Sequence, residues 1–315
     1  MSRTKAIQEG SKLSRRSEFK RNLPYLLVAL PSIIYLLIFN YAPMYGIIIA
    51  FKDYTYAKGI LGSSWAGFKH FEYFFTSSDA FRVIRNTILY SIADLFIIGL
   101  FVAIFMAILL YEIESKACNK VYQTTVILPY YLSWVIIAGI VTLFLNHSNG
   151  FINQIIELLG GKRILWYTES KYWPVILIIA KLWREGGMAS LYFFSAIIGI
   201  DTGLFEAASL DGAGRLKQIW YVTIPELAPM ACMVIITRLG GILSSELGLF
   251  YNVTLDNGLL YPTTDVLSTY IYRGLASGNF SATTAVGLFS SVVGIIFTLT
   301  ANGIIKKINS ENALY

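Results

Sequence analysis

Glu206-Ala207-Ala208-Ser209-Leu210-Asp211-Gly212, followed after nine residues by Val222-Thr223-Ile224-Pro225, forms a hydrophilic island between two apolar segments of bilayer length. Asp201 or Thr202 can cap a short helix running through Leu210, because a side-chain oxygen there satisfies an orphan first-turn N–H. Asp211-Gly212 breaks that helix, and Gly212 supplies the left-handed backbone that a helix C-terminus commonly needs. A second short helix is expected from Ala213, stopping before Pro225. Small side chains at Ala207, Ala208 and Ser209 give the first helix a low profile around which another protein's groove can close. Leu216, Ile219 and Trp220 recur at i, i+3 and i+4 and give the second helix one apolar face. Two short helices with a bend, set between membrane segments, read as a docking element for a soluble partner.

Of the 315 residues, 56% are hydrophobic and 14% charged, with a mean hydropathy of +0.60. That balance lies outside soluble composition and in the polytopic membrane class. Segments of about 20 apolar residues, enough for a hydrocarbon core of roughly 30 Å, recur six times. They lie near 24–51, 86–111, 121–145, 173–199, 228–250 and 283–305. The first lacks a small-residue cleavage site and is punctuated by Pro31 and Pro43, so it reads as a retained membrane helix. The expected fold is all-α, with six transmembrane helices and the island as a cytoplasmic loop.

Arg3, Lys5, Lys12, Arg15, Arg16, Lys20 and Arg21 precede the first segment, and Lys306 and Lys307 follow the last. Under the positive-inside rule both ends are cytoplasmic. Loops 112–120 and 200–227 then lie inside, and loops 52–85, 146–172 and 251–282 outside. The chain divides into a basic cytoplasmic tail over 1–22, a membrane domain over 23–306 containing the loop 201–227, and a cytoplasmic tail over 307–315. The net charge of +6 reads as topology and attraction to lipid headgroups; no basic face with stacking aromatics suggests nucleic acid.

Cys118 falls in an inner loop and Cys232 inside a membrane segment, so no disulfide framework is implied. His70 and His147 are isolated, with no second ligand at metal spacing. Gly160-Gly161-Lys162 lacks the glycine spacing, the hydroxyl residue and the preceding strand of a phosphate loop. No H-E-x-x-H, no G-x-S-x-G and no intramembrane carboxylate pair at i, i+4 occurs, so an enzyme reading has no catalytic residues to rest on. Metal and cofactor sites are not expected on this chain.

Lys181, Arg184 and Glu185, followed by Gly186-Gly187, lie well inside the fourth segment. Charges at that depth cost about 2.5–3.5 kcal/mol each, so they face a wet cavity or each other. Lys181 and Glu185 stand at i, i+4 and can pair. In the fifth segment Arg238 and Glu246 must likewise lie against protein or water, while Gly240, Ser244 and Gly248 recur every four residues as a close-packing row. These charges suit either the wall of a solute pathway or a seam between subunits. Tyr130, Tyr131 and Trp134, just after Pro129, can stack on sugar faces or pack against neighbouring helices.

The island resembles the E-A-A loop of binding-protein-dependent ABC importers: E-A-A, three residues, G, nine residues, I-x-L-P. This chain keeps the spacing, with Val222 and Ile224 at the aliphatic positions. Asn22-Leu23-Pro24-Tyr25, Tyr41-Ala42-Pro43-Met44-Tyr45-Gly46, Leu128-Pro129-Tyr130-Tyr131-Leu132-Ser133-Trp134 and Thr264-Asp265-Val266-Leu267-Ser268-Thr269-Tyr270-Ile271-Tyr272-Arg273 are similar to the LplB-like branch of carbohydrate permeases. The resemblance implies the MetI-like fold of type I importers in a bacterial cytoplasmic membrane.

It also implies the partners: a second, homologous permease, a pair of ATPase subunits that hold ATP and Mg, an extracellular lipoprotein that binds solute, and an oligosaccharide substrate. Glu206, Ala207, Ala208, Ser209, Asp211, Gly212 and Pro225 would form the ATPase-coupling element. Lys181, Arg184 and Arg238 would suit an acidic sugar. Asp265, Tyr270 and Arg273 would belong to an outer scaffold touching the binding protein. The fourth segment departs from the branch, which has an aromatic residue after the second glycine and less charge than Arg184-Glu185. The competing class is a secondary, ion-coupled transporter, which calls for inverted repeats and broken helices near the midplane; neither is evident in the sequence.

Overall fold

Serine caps and glycine breaks divide the chain into helices at points that the apolar pattern alone does not mark. The computed structural model describes residues 15–308, and side chains over 22–307; most of the two tails read from the sequence falls outside them. The first span is already helical at Arg15, within the stretch read as tail, and continues through a wide turn at Leu37–Tyr41 and a tighter one at Ala42–Phe51. Its apolar face is uncovered by the rest of the chain: Tyr25 is 76% and Val28 81% exposed, and full burial is reached only at Ala50. A bare apolar helix of this length belongs against lipid or a second polypeptide. A two-residue antiparallel ladder, β1 (Lys52–Asp53) with β2 (Ser64–Trp65), follows it.

The second span, Ser78–Tyr111, begins at Ser78 rather than near residue 86 because Ser77 caps it, accepting from the Ala80 N–H. Its first turns are polar, yet they do not face lipid. Arg82 bonds Asp265, and Arg85 and Asn86 bond the Pro262 carbonyl of the loop 251–282.

Two of the six expected helices are broken. Lys116–Tyr131 and Trp134–Leu145 meet at 95°, just past Pro129. Leu132 is extended, and Ser133 restarts the helix by accepting from the Ile136 N–H. The expected helix over 228–250 ends at Gly240; Gly241–Glu246 is irregular, and a wide turn at Leu249–Val253 follows. Gly240-Gly241 offers no side chain to hold the helix, and Ser244 and Ser245 favour non-helical backbone. Gly240, Ser244 and Gly248 therefore do not form one helical row. Gly240 abuts Gly294 and Thr298 of the sixth span, Phe280–Ile308, whereas Gly248 abuts Trp134.

The fourth span, Trp173–Ile198, is continuous. A Cβ at Gly187 would collide with the Val126 carbonyl, and one at Gly186 would touch Val102 and Met106 at 3.6 and 3.8 Å. This span therefore lies directly on the backbone of the third. Apolar clusters fill the space at both ends: Trp134, Ile137, Trp173, Leu177 and Leu249 in one half, Ala103, Ala107, Phe193, Ile197 and Leu227 in the other. The turn at 112–115 and the loop 200–227 share one end, where Arg215 meets Glu112. Loops 146–172 and 251–282 share the other, where Asn257 bonds the Tyr167 carbonyl.

Gly187→Val is expected to lower the thermal stability of the purified protein by at least the 1–3 kcal/mol typical of overpacking. Gly139→Ala, facing open space, should be neutral or gain up to about 1 kcal/mol from helix propensity. Equal melting temperatures for Gly187→Val and the unaltered protein would remove the close contact.

Candidate functional site

The loop helix runs Thr202–Leu210, and of the two candidate caps the structure uses Asp201, whose Oδ1 accepts the Gly203 N–H at 2.9 Å. Gly212 takes φ +72°, letting Gly212 and Ala213 donate back to Ser209 and Ala208 at 3.0 and 2.9 Å. The second helix begins at Arg215 rather than Ala213, and it does not stop before Pro225. It widens at Ile219–Thr223, continues through Ile224–Glu226, and turns by 52° into the fifth span. Proline is accommodated because it sits in the first turn of the new register, where no N–H partner is required.

Gln218 joins the two arms, donating to Ser209 Oγ at 2.8 Å and to the Ala213 carbonyl at 3.2 Å. Ser209 is thus an internal strut. Leu216 and Trp220 are 74% and 65% exposed, while Ile219 turns inward, so the expected apolar face divides. Glu206 is exposed and makes no ion pair among the described residues. It lies on the rim of a hollow of about 190 Å³ lined also by Tyr111, Phe205, Arg215 and Thr223. Arg215 Nε lies 2.6 Å from Glu112 Oε2, and that bond holds the guanidinium above its ordinary pKa.

Inside the membrane region the charged residues converge around one that the sequence reading missed. Asp94, the lone acid in the apolar run of the second span, pairs directly with Arg238, and its Oδ1 lies 3.1 Å from Lys181 Nζ. Lys181 is also 3.8 Å from Glu185, and Arg184 is 3.3 Å from Glu185. Arg184 donates to the Leu132 carbonyl at 3.2 Å, using an acceptor that the break in the third span sets free. Its guanidinium lies over the Trp134 ring at 4.5 Å and the Tyr130 ring at 5.3 Å, and Trp134 Nε1 donates to Glu246 at 3.0 Å.

Two cavities of about 270 Å³ flank this network. Tyr90, Ser91, Asp94, Lys181 and Ser245 line the first, and Tyr130, Arg184 and Tyr192 the second; Glu185, Arg238 and Glu246 border both. Three cations face three acids, so the walls are charge-balanced and not simply basic. Trp134 is buried at 7% exposure, which favours packing over sugar stacking for that ring. Tyr131, 76% exposed, borders neither cavity. The signal for Asp94 was available: an acid within an apolar run implies a buried partner on insertion cost alone.

Asp265, read as a contact for an outside partner, is fully buried. It accepts from Arg82 at 2.9 Å, Arg273 at 2.5 Å and Thr269 at 2.9 Å. Arg273 also bonds Asp256 at 2.9 Å and covers the Tyr261 ring at 4.3 Å. Burial draws its pKa down, but the bond and charge of Asp265 carry it above the ordinary value. Tyr270 packs on Phe74 with centroids 5.3 Å apart. These three residues fasten the helix Leu267–Ala276 from within, because two guanidinium groups need a shared anion once water is excluded.

Residues 99–310 match the family model described as binding-protein-dependent transport system inner membrane component. The chain is 38% identical over 288 residues to the polygalacturonan/rhamnogalacturonan transport system permease protein YteP of Bacillus subtilis strain 168, covering 91% of this chain and 88% of that protein. It is 35% identical over 306 residues to protein LplB of the same organism, covering 97% and 95%. A chain from the crystal structure of a bacterial ABC transporter involved in import of the acidic polysaccharide alginate superposes with a TM-score of 0.82 at 36% identity, over 93% of this chain and 98% of that one. A second chain, from the alginate transporter in complex with its alginate pentasaccharide-bound periplasmic protein, gives 0.83 at 35% identity, over 95% and 98%.

Asp265→Asn should destabilise the isolated protein by about 3–5 kcal/mol, the range for breaking a buried ion pair from one side, read as a fall in melting temperature in detergent. Unchanged melting combined with weakened capture of a binding protein would instead restore an outward role for Asp265.

Proposed function

The chain belongs to the binding-protein-dependent transport system inner membrane components, and from that premise we propose that it forms one half of the pore of an ATP-driven oligosaccharide importer. The other half is a second, homologous permease. A pair of separate ATPase subunits binds ATP and Mg beneath the loop 200–227, and an extracellular lipoprotein delivers the sugar from above. The termini and that loop face the cytoplasm. The likeness to permeases of polygalacturonan and rhamnogalacturonan transport and of alginate import supports an acidic oligosaccharide released by polysaccharide breakdown.

The observation that carries this reading is the loop itself. Its first helix has small residues on its surface and an exposed carboxylate at Glu206 with no ion pair among the described residues, and Gln218 and Arg215 fix it to its second arm and to the 112–115 turn. A pre-set helix with a free charge suits insertion into a partner's cleft, because little order has to be gained on docking. Closure of the ATPases on ATP then moves this helix, and the 52° joint at Leu227 passes the motion to the fifth span, whose break lies at the charged cavities. The broken third and fifth spans also remove one ground on which the sequence disfavoured a secondary transporter; the family match speaks against that class instead.

Glu206→Arg reverses a charge-assisted contact worth about 1.5–3 kcal/mol. The expected result is ATPase activity no longer stimulated by loaded binding protein, together with loss of uptake in proteoliposomes; wild-type values for both would refute the coupling role. For orientation, the exposed native Cys118 should escape a membrane-impermeant maleimide on intact cells and react after permeabilisation. Labelling from outside would invert the topology.

A further inference from the structure

Building on the importer reading, we propose that Asp94 is a tethered stand-in for a substrate carboxylate, and that a uronate group passing through the first cavity takes its place between Lys181 and Arg238. The two cations come from the fourth and fifth spans and converge on one carboxylate supplied by the second. All three line the cavity of about 270 Å³, with Ser91, Ser244 and Ser245 as further polar wall. A sugar carboxylate has the same charge and the same pair of oxygens as an aspartate side chain, so a site shaped to one accepts the other.

Asp94 is held unevenly. Arg238 bonds one oxygen, whereas Oδ1 has a charge contact with Lys181 at 3.1 Å but no hydrogen bond, although it is buried. The Lys181 side is therefore the weaker grip and the place where exchange begins. Glu185 and Glu246 border the same cavity, and with Arg184 beside Glu185 the network holds three cations against three acids. Entry of a uronate displaces Asp94 and leaves the network with one surplus negative charge, which favours prompt release. The cations thus admit an acidic sugar in exchange for Asp94 without retaining it, as a conduction path requires.

The test uses the detergent-purified transporter complex, titrated calorimetrically with trigalacturonate and with its fully methyl-esterified, neutral counterpart. The unaltered complex should bind both weakly and with similar affinity. Asp94→Asn should bind the acid about tenfold or more tightly than the ester, the gain expected when a charge-assisted bond no longer competes with an internal anion. Should that variant fail to assemble, the charge-balanced pair Asp94→Asn/Lys181→Gln leaves Arg238 unmatched and should keep the preference, while adding Arg238→Gln should abolish it. Assembled variants that do not distinguish acid from ester would overturn the proposal. ATP-driven uptake of oligogalacturonate by the unaltered complex separates the two levels: if that uptake is absent, the importer reading fails; if it is present without the acid preference, only the role of Asp94 fails.

Discussion

Exclusion of water from the middle of the protein governs the rest of this structure. In a low-dielectric region each charge must be matched by another or by a dipole fixed in place, and each backbone group outside a helix must face a cavity or a partner. Both demands meet where the third and fifth spans break. The Leu132 carbonyl freed by one break is taken by Arg184, and the irregular stretch Gly241–Glu246 of the other opens onto the cavity holding Asp94, Lys181 and Arg238. Ion pairs and broken helices therefore meet in one arrangement at that depth.

The same economy of anions recurs at the end where loops 146–172 and 251–282 meet. Asp265 serves two arginines from elements nearly two hundred residues apart in sequence, so the helix Leu267–Ala276 is fixed to the start of the second span. At the opposite end the one ion pair among the described residues, Arg215–Glu112, is exposed, and a buried glutamine ties the two short helices together. Exposed ion pairs of this kind contribute little stability. That contrast leaves the loop 200–227 less firmly fastened than the helix Leu267–Ala276.

How much of this was legible in the sequence followed from how local each cause is. The bent loop could be read almost residue by residue, because a cap, a left-handed glycine and a helix of small residues are set within a few positions. Besides a start two residues early and an apolar face that divides, its error of ending the second helix before Pro225 came from overlooking that a wide turn can reset the register and bring proline into a first turn. The six apolar segments were likewise evident from length. The breaks within two of them were not, since Ser133 and Gly240-Gly241 act only in concert with Trp134, Arg184 and the sixth span. Asp94 escaped notice as a single letter among aliphatics, and Asp265 was read as a partner contact because one of its two arginine partners is distant in the chain.

The contact at Gly187 has a consequence for how the protein changes shape. With no side chain between the fourth span and the Val126 carbonyl, the two backbones meet as bare surfaces, and sliding one along the other would drive neighbouring side chains such as Met188 into the third span. Shear is thus disallowed while pivoting about the glycine stays cheap. The joint has the form of a bearing: the two backbones touch at the glycine, and a tilt about that point keeps them in contact.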